Sequence, residues 1–151
     1  MPIYMKFEGI EGEAKDKYKG WIELDSCQIG TSNPDPTARG GSREPGAPKV
    51  SEIVITKRQD NSSSGLFREA FNGTGKKVTI AFVKDGTEYL TLELENVLIS
   101  NYSVSGHGDD AHDRPIESFS FNFSKITYTT KPISKDEKKN EERIQWDLAT
   151  Q

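Results

Sequence analysis

Residues 116–128 read Ile-Glu-Ser-Phe-Ser-Phe-Asn-Phe-Ser-Lys-Ile-Thr-Tyr. Phe119, Phe121 and Phe123 alternate with Ser118, Ser120, Asn122 and Ser124, the period of a strand with one face on a core and the other in water. After Ser124 the apolar phase moves to Ile126 and Tyr128. A phase change inside one run means that the strand bends or bulges and delivers its two halves to different faces.

The same pattern extends in both directions. Val78, Ile80 and Phe82 form one alternating run and Leu90, Leu92 and Leu94 its return. Asp85-Gly86 joins them, a pair suited to the positive φ of a tight hairpin. After Glu95-Asn96 the phase flips to Val97 and Ile99. Ile3, Met5 and Phe7 share a face, as do Ile22 and Leu24, while Cys27 and Ile29 take the opposite phase, which a bulge near Asp25-Ser26 explains. A strand over 50–57 turns Ile53 and Ile55 inward, and Ile144, Trp146 and Leu148 form a last short one. Leu66, Phe67, Ala70 and Phe71 instead recur at helical spacing between a Ser-rich start and Gly73, predicting one short amphipathic helix over about 64–73. The expectation is a mainly β single domain over 1–151, a small barrel or sandwich of bent strands.

Composition narrows the function. With 20 basic and 24 acidic residues the net charge is −4, which gives no electrostatic reason to bind nucleic acid or anionic lipid. No apolar run reaches the roughly 18–20 residues that span a bilayer, and Lys6 and Glu8 interrupt the N-terminus before any signal-type apolar region forms, so neither membrane insertion nor a signal peptide is expected. A lone cysteine, Cys27, excludes an internal disulfide and points to synthesis in a reducing cytoplasm. Leu, Ile, Val and Phe make up only about a fifth of the chain, little above the level at which chains stop folding. Burial against further copies would relieve that shortage.

Two segments stand outside the strand pattern. Residues 30–48 hold Pro34, Pro36, Pro45 and Pro48 with Gly30, Gly40, Gly41 and Gly46, a long Pro/Gly-rich loop of the kind that is functional or disordered. Lys131–Arg143 mixes acidic and basic side chains and reads as a solvated linker.

Candidate chemistry is sparse. His107, Asp109, Asp110, His112 and Asp113 are ligand types for a hard or borderline metal, but they lie in a Gly-containing loop, where polar residues need no such role. Gly73-Thr74-Gly75-Lys76 looks like the end of a phosphate loop, yet Ala70 and Lys77 occupy required Gly and Ser/Thr positions and the helix precedes the strand. Cys27 sits in a strand pattern as a small buried thiol. The stripe Phe119, Phe121 and Phe123 is a stacking platform if exposed and a core if buried. No catalytic residue, metal or cofactor is expected. The alternatives are a monomeric ligand-binding β-barrel and a metal-dependent hydrolase built on the 107–113 loop.

A resemblance adds a specific expectation. Phe7-Glu8-Gly9-Ile10-Glu11-Gly12-Glu13-Ala14, Ile53 to Lys57 running through Asp60 and Ser62 to Leu66, Ala70 and Gly73, Val97 to Ser105-Gly106, and Arg114-Pro115-Ile116-Glu117-Ser118-Phe119-Ser120-Phe121 together resemble the Hcp family, the tube protein of type VI secretion systems. Its signature falls on Gly9, Gly12, Glu13, Ser105, Gly106, Pro115, Glu117, Phe119 and Phe121. Tyr18 stands where many members have His, and 30–48 is unusually proline-rich. The resemblance implies a non-enzymatic structural subunit: homohexameric rings that stack into a hollow tube, are expelled by a contractile sheath, meet a spike protein at the tip and carry effectors in the lumen. It implies manufacture in the cytoplasm and export by the apparatus to the extracellular space or a target cell. The 30–48 loop, with Pro34, Asp35, Pro36, Arg39 and Arg43, is the expected ring-stacking contact.

Overall fold

The structure, a computed structural model, describes residues 2–32, 49–108, 114–131 and 142–148. In chain order the elements are β1 (Ile3–Phe7), a 3-10 turn (Asp16–Tyr18), β2 (Ile22–Leu24), β3 (Ser26–Gln28), β4 (Thr31–Ser32), β5 (Lys49–Val50), β6 (Ile53–Arg58), α1 (Ser63–Phe71), β7 (Lys76–Lys84), β8 (Thr87–Ser105), β9 (Ile116–Asn122), β10 (Lys125–Thr130) and β11 (Glu142–Asp147). The mainly β expectation with one helix holds. The helix ends two residues before Gly73, which follows as a close-approach site: a Cβ there would sit 3.0 Å from Leu98 Cδ2.

The main ladder runs β2-β1-β7-β8-β9-β6-β3, with β10 added to β8 and β11 to β10. It begins at β2 and ends at β3, and these ends are joined through the chain at Asp25 rather than by a ladder. The architecture is therefore a sandwich whose sheet does not close. One sheet uses the first half of β8, flanked by β7 and β10. The other uses its second half, paired with β9.

The phase changes in the sequence are the points where strands cross between sheets. In β8, Val97 pairs with Lys76 but Leu94 with Val78, so one extra residue is accommodated there. Asn96 absorbs it at φ 56, a left-handed conformation that asparagine tolerates. Alongside, β9 ends at Asn122 and β10 begins at Lys125, with the Ser124 N–H donating to Glu95 O at 3.0 Å. The β7–β8 hairpin turns at Asp85 (φ 50) and Gly86 (φ 76), the double positive φ whose twist matches flanking strands.

Met5, Phe7, Ile22, Ile53, Ile55, Val78, Ile80, Leu92, Leu94, Phe119 and Phe121 are buried between the sheets. At about 1.5–3 kcal/mol for each large apolar side chain taken out of water, they account for the sandwich. Phe123 is buried too. The phenylalanine stripe is thus core, which removes the stacking platform and fills the interior a barrel-type ligand site would use. Tyr128 departs from the expected inward phase: it stays 37 % exposed because β10 faces an open groove there.

Candidate assembly surfaces and the buried ion cluster

Two charged residues sit on inward phases of adjacent strands. Lys57 follows Ile53 and Ile55 in β6, Glu117 precedes Phe119 and Phe121 in β9, and the register pairs Lys57 directly with Glu117. Both are buried. Lys57 Nζ donates to Glu117 Oε1 and Arg58 O at 2.9 and 2.8 Å, and lies 2.9 Å from Asp60 Oδ1. Glu117 also accepts from the hydroxyls of Ser63 and Tyr102, and burial together with the Glu117 carboxylate raises the Tyr102 pKa. This desolvated charge survives because every partner is in place. Its contacts fasten the start of α1 to the sheet.

A second polar cluster braces the connector before α1. The Arg114 guanidinium donates to Glu13 Oε2 and to Gln59 O, each at 3.0 Å. Glu13 Oε1 accepts the Asn61 N–H at 3.1 Å, and Pro115 O accepts the Gln59 N–H at 2.9 Å. Gly12 lies so close to the start of β2 that a Cβ would approach Ile22 Cα to 2.6 Å, a contact only glycine permits.

Tyr18 is buried, stacks on Tyr4 with ring centroids 4.3 Å apart, and donates to Glu88 Oε1 at 2.7 Å. Burial, then the Glu88 carboxylate, raises its pKa.

Among the described residues, apolar side chains group at two open surfaces. Phe67 (44 % exposed) and Phe71 (72 %) form a ridge along α1, their rings 4.8 Å apart edge to face. Phe67 leans on Tyr102, and Tyr102 on Phe119 in the core, at 5.2 and 4.9 Å. The other surface is a groove of about 520 Å³ lined by Ile29, Val50, Ile126, Tyr128, Ile144 and Trp146. At its rim β4 and β5 pair as a two-stranded stem, locked by Ser51 Oγ accepting the Gly30 N–H at 2.9 Å.

The family model for the type VI secretion system effector Hcp matches residues 4–129. The chain belongs to the Hcp family. Solved structures repeat the fold over nearly the whole chain. A type six secretion system protein is 23 % identical with a TM-score of 0.90, over 99 % of this chain and 96 % of that one. Hcp1 from Salmonella typhimurium is 20 % identical with a TM-score of 0.81, over 99 % and 95 %. A type VI secretion system effector from Yersinia pestis is 22 % identical with a TM-score of 0.78, over 96 % and 98 %. No curated protein matches the chain.

The residues expected to carry the family signature lie around the connector and the sheet it joins. Gly9 makes a turn at φ 82, Gly12 supplies the close approach, Glu13 and Pro115 hold the connector, and Glu117 completes the buried pair. Gly106 packs near Pro115, Ser105 pairs with Ile116, and Phe119 and Phe121 are core. Sequence reasoning missed Lys57, Asp60 and the α1 ridge as a unit. The signal for the first was available: a lysine and a glutamate in phase with isoleucines and phenylalanines.

The expected stacking residues Pro34, Asp35, Pro36, Arg39 and Arg43 lie outside the described residues, as do Asp109, Asp110, His112 and Asp113. Among the described residues no cluster of metal-ligating side chains is found, and no helix is long and apolar enough to cross a membrane. The Cys27 thiol, pushed up to about 12 by burial, is a poor nucleophile at neutral pH. The Gly73–Lys76 segment is the helix-to-strand connector, with Gly75 at φ 78 against the Asn96 side chain.

Proposed function

We propose that this chain is the structural subunit of a type VI secretion inner tube, closing into homohexameric rings that stack around a lumen able to hold effectors. The observation that carries this reading, beyond family membership, is incomplete burial: Phe67, Phe71, Leu98, Val104, Ile116, Tyr128 and Ile144 all stay at least a third exposed in a chain with few apolar residues to spare. Exposed apolar surface of this kind marks contact sites, and an assembly that binds only the folded chain adds its binding energy to folding. The outer wall meets the sheath, one end of the tube meets the spike, and the product leaves the cell through the apparatus.

The 30–48 loop is assigned to ring stacking. The ends of that segment are tied together by the β4–β5 pairing, and a long Pro/Gly-rich connection of this kind is usually functional. Electron micrographs of negatively stained purified protein test the proposal. Rings with a central hole are the expected image, and a uniform field of monomer-sized particles refutes it.

A further inference from the structure

Asn72 is the one asparagine of the chain that precedes a glycine. The next residue matters because its backbone nitrogen can attack the asparagine's own Cγ and close a five-membered ring. A side chain on that next residue crowds the approach, and glycine has none. Asn96 is followed by Val97, Asn101 by Tyr102 and Asn122 by Phe123, and strand pairing fixes Asn101 against Ser120 and Asn122 against Leu98. Asn61 precedes Ser62 and is held on two sides: its carboxamide donates to Gly12 O at 3.4 Å and its backbone N–H to Glu13 Oε1 at 3.1 Å.

The fold leaves the Asn72–Gly73 pair open. The last backbone bond of α1 runs from the Asn72 N–H to Arg68 O at 2.9 Å, so the Gly73 N–H falls between the helix, which ends at Phe71, and β7, which starts at Lys76. Neither that N–H nor the Asn72 carboxamide has a hydrogen-bond partner among the described residues. Both residues are exposed. Asn72 has already left helical geometry, with ψ at 51°, and turning the Asn72–Gly73 peptide further, as ring closure requires, breaks no hydrogen bond made by Gly73.

We infer that Asn72–Gly73 is a site of deamidation, a modification the chain performs on itself with water as the co-reactant. The Gly73 nitrogen gives up its proton and bonds to Asn72 Cγ, the Cγ–Nδ2 bond breaks, and ammonia departs carrying that proton, leaving a succinimide. Water then opens the ring at either carbonyl and leaves aspartate or isoaspartate at position 72. Each product puts a carboxylate where the parent has a neutral amide, at the negative end of the α1 dipole. The Glu69 carboxylate is close by, its Oε2 4.0 Å from where a Cβ on Gly73 would lie, so like charges meet there. Isoaspartate also adds a carbon to the main chain between α1 and β7. Modification therefore loosens the last turn of α1, which carries Phe71.

The test incubates the purified full chain at mildly alkaline pH, in ordinary water and in water enriched in oxygen-18, and follows it by peptide mass spectrometry. The peptide holding Asn72 should gain a carboxyl group at least tenfold faster than those holding Asn61, Asn96, Asn101 or Asn122, take up one solvent oxygen, and separate into aspartate and isoaspartate forms. Gly73→Ala should slow the conversion at least tenfold, and Asn72→Gln, whose ring would have six members, should abolish it; circular dichroism verifies that both variants fold. Hydrogen exchange at the amides of Ala70 to Asn72 should be faster in the aged chain than in the fresh one. Conversion at Asn72 no faster than at the other asparagines, or more than tenfold slower in the folded chain than in urea, means that the fold shields the pair and overturns the inference. Aspartate without isoaspartate, or an unchanged rate in Gly73→Ala, shows that no ring forms and overturns it too.

Discussion

Removing the Glu117 carboxylate should loosen the sandwich far more than a surface change would. In Glu117→Ala the buried Lys57 ammonium loses its 2.9 Å partner, and the hydroxyls of Ser63 and Tyr102 lose their acceptor. Breaking one side of a buried pair costs about 3–5 kcal/mol, chiefly through the charge left behind. Asp60 remains 2.9 Å from the ammonium, which places the expected loss near the lower end, about 3 kcal/mol. Against a total folding stability of about 5–15 kcal/mol, that is a large fraction. For a chain of this size it lowers Tm by about 6–12 °C. The double replacement Lys57→Met/Glu117→Leu removes both charges and should cost clearly less than Glu117→Ala alone, because an apolar pair needs no partners. Urea unfolding followed by circular dichroism, at one protein concentration so that assembly contributes equally, measures both. A Glu117→Ala midpoint within about 1 kcal/mol of the parent, against the 3–5 kcal/mol of a broken buried pair, would refute the reasoning, since it would mean that water reaches the pair.

Three further outcomes are expected. Gly12→Ala, whose methyl would press on Ile22 Cα and the Trp21 carbonyl, should cost about 1–3 kcal/mol as overpacking against backbone; an unchanged urea midpoint contradicts the close approach. The Cys27 pKa is about 12 in the fold against an ordinary value of 9.0, so below pH 9 the thiol is neutral in both states and contributes no pH dependence. Between about pH 9 and 12 the unfolded chain ionises first and stability falls, with the raised Tyr18 and Tyr102 acting in the same sense at higher pH; a thiol reagent at pH 8 should label Cys27 only after denaturation. Deleting residues 34–45, within the segment carried by the β4–β5 stem, should leave six-chain rings intact in native mass spectrometry while shortening ring stacks seen by electron microscopy; loss of the rings themselves contradicts the stacking role.

Strand alternation was legible because one face of each strand meets the core and the other meets water. The phase flips at Glu95-Asn96 and Ser124 were legible for the same reason, and the structure shows them as the points where β8 and the β9–β10 run pass from one sheet to the other. The groove was not legible. Tyr128, Ile144 and Trp146 carry a core-like alternation, and nothing local distinguishes a closed core from a groove open at the surface. The same ambiguity hid the ridge, since Phe67 and Phe71 sit at core spacing behind Leu66 but only Leu66 is fully buried. The pairing of Lys57 with Glu117 was overlooked for the opposite reason: charge suggests solvent, and only the cross-strand register that brings the two together shows how both tolerate burial.

Incomplete burial of the single chain is the central claim, and its mass in solution tests it most directly. Native mass spectrometry of the purified protein at micromolar concentration should show one dominant species at six times the monomer mass. A spectrum containing monomer alone, unchanged as concentration rises tenfold, would contradict the account.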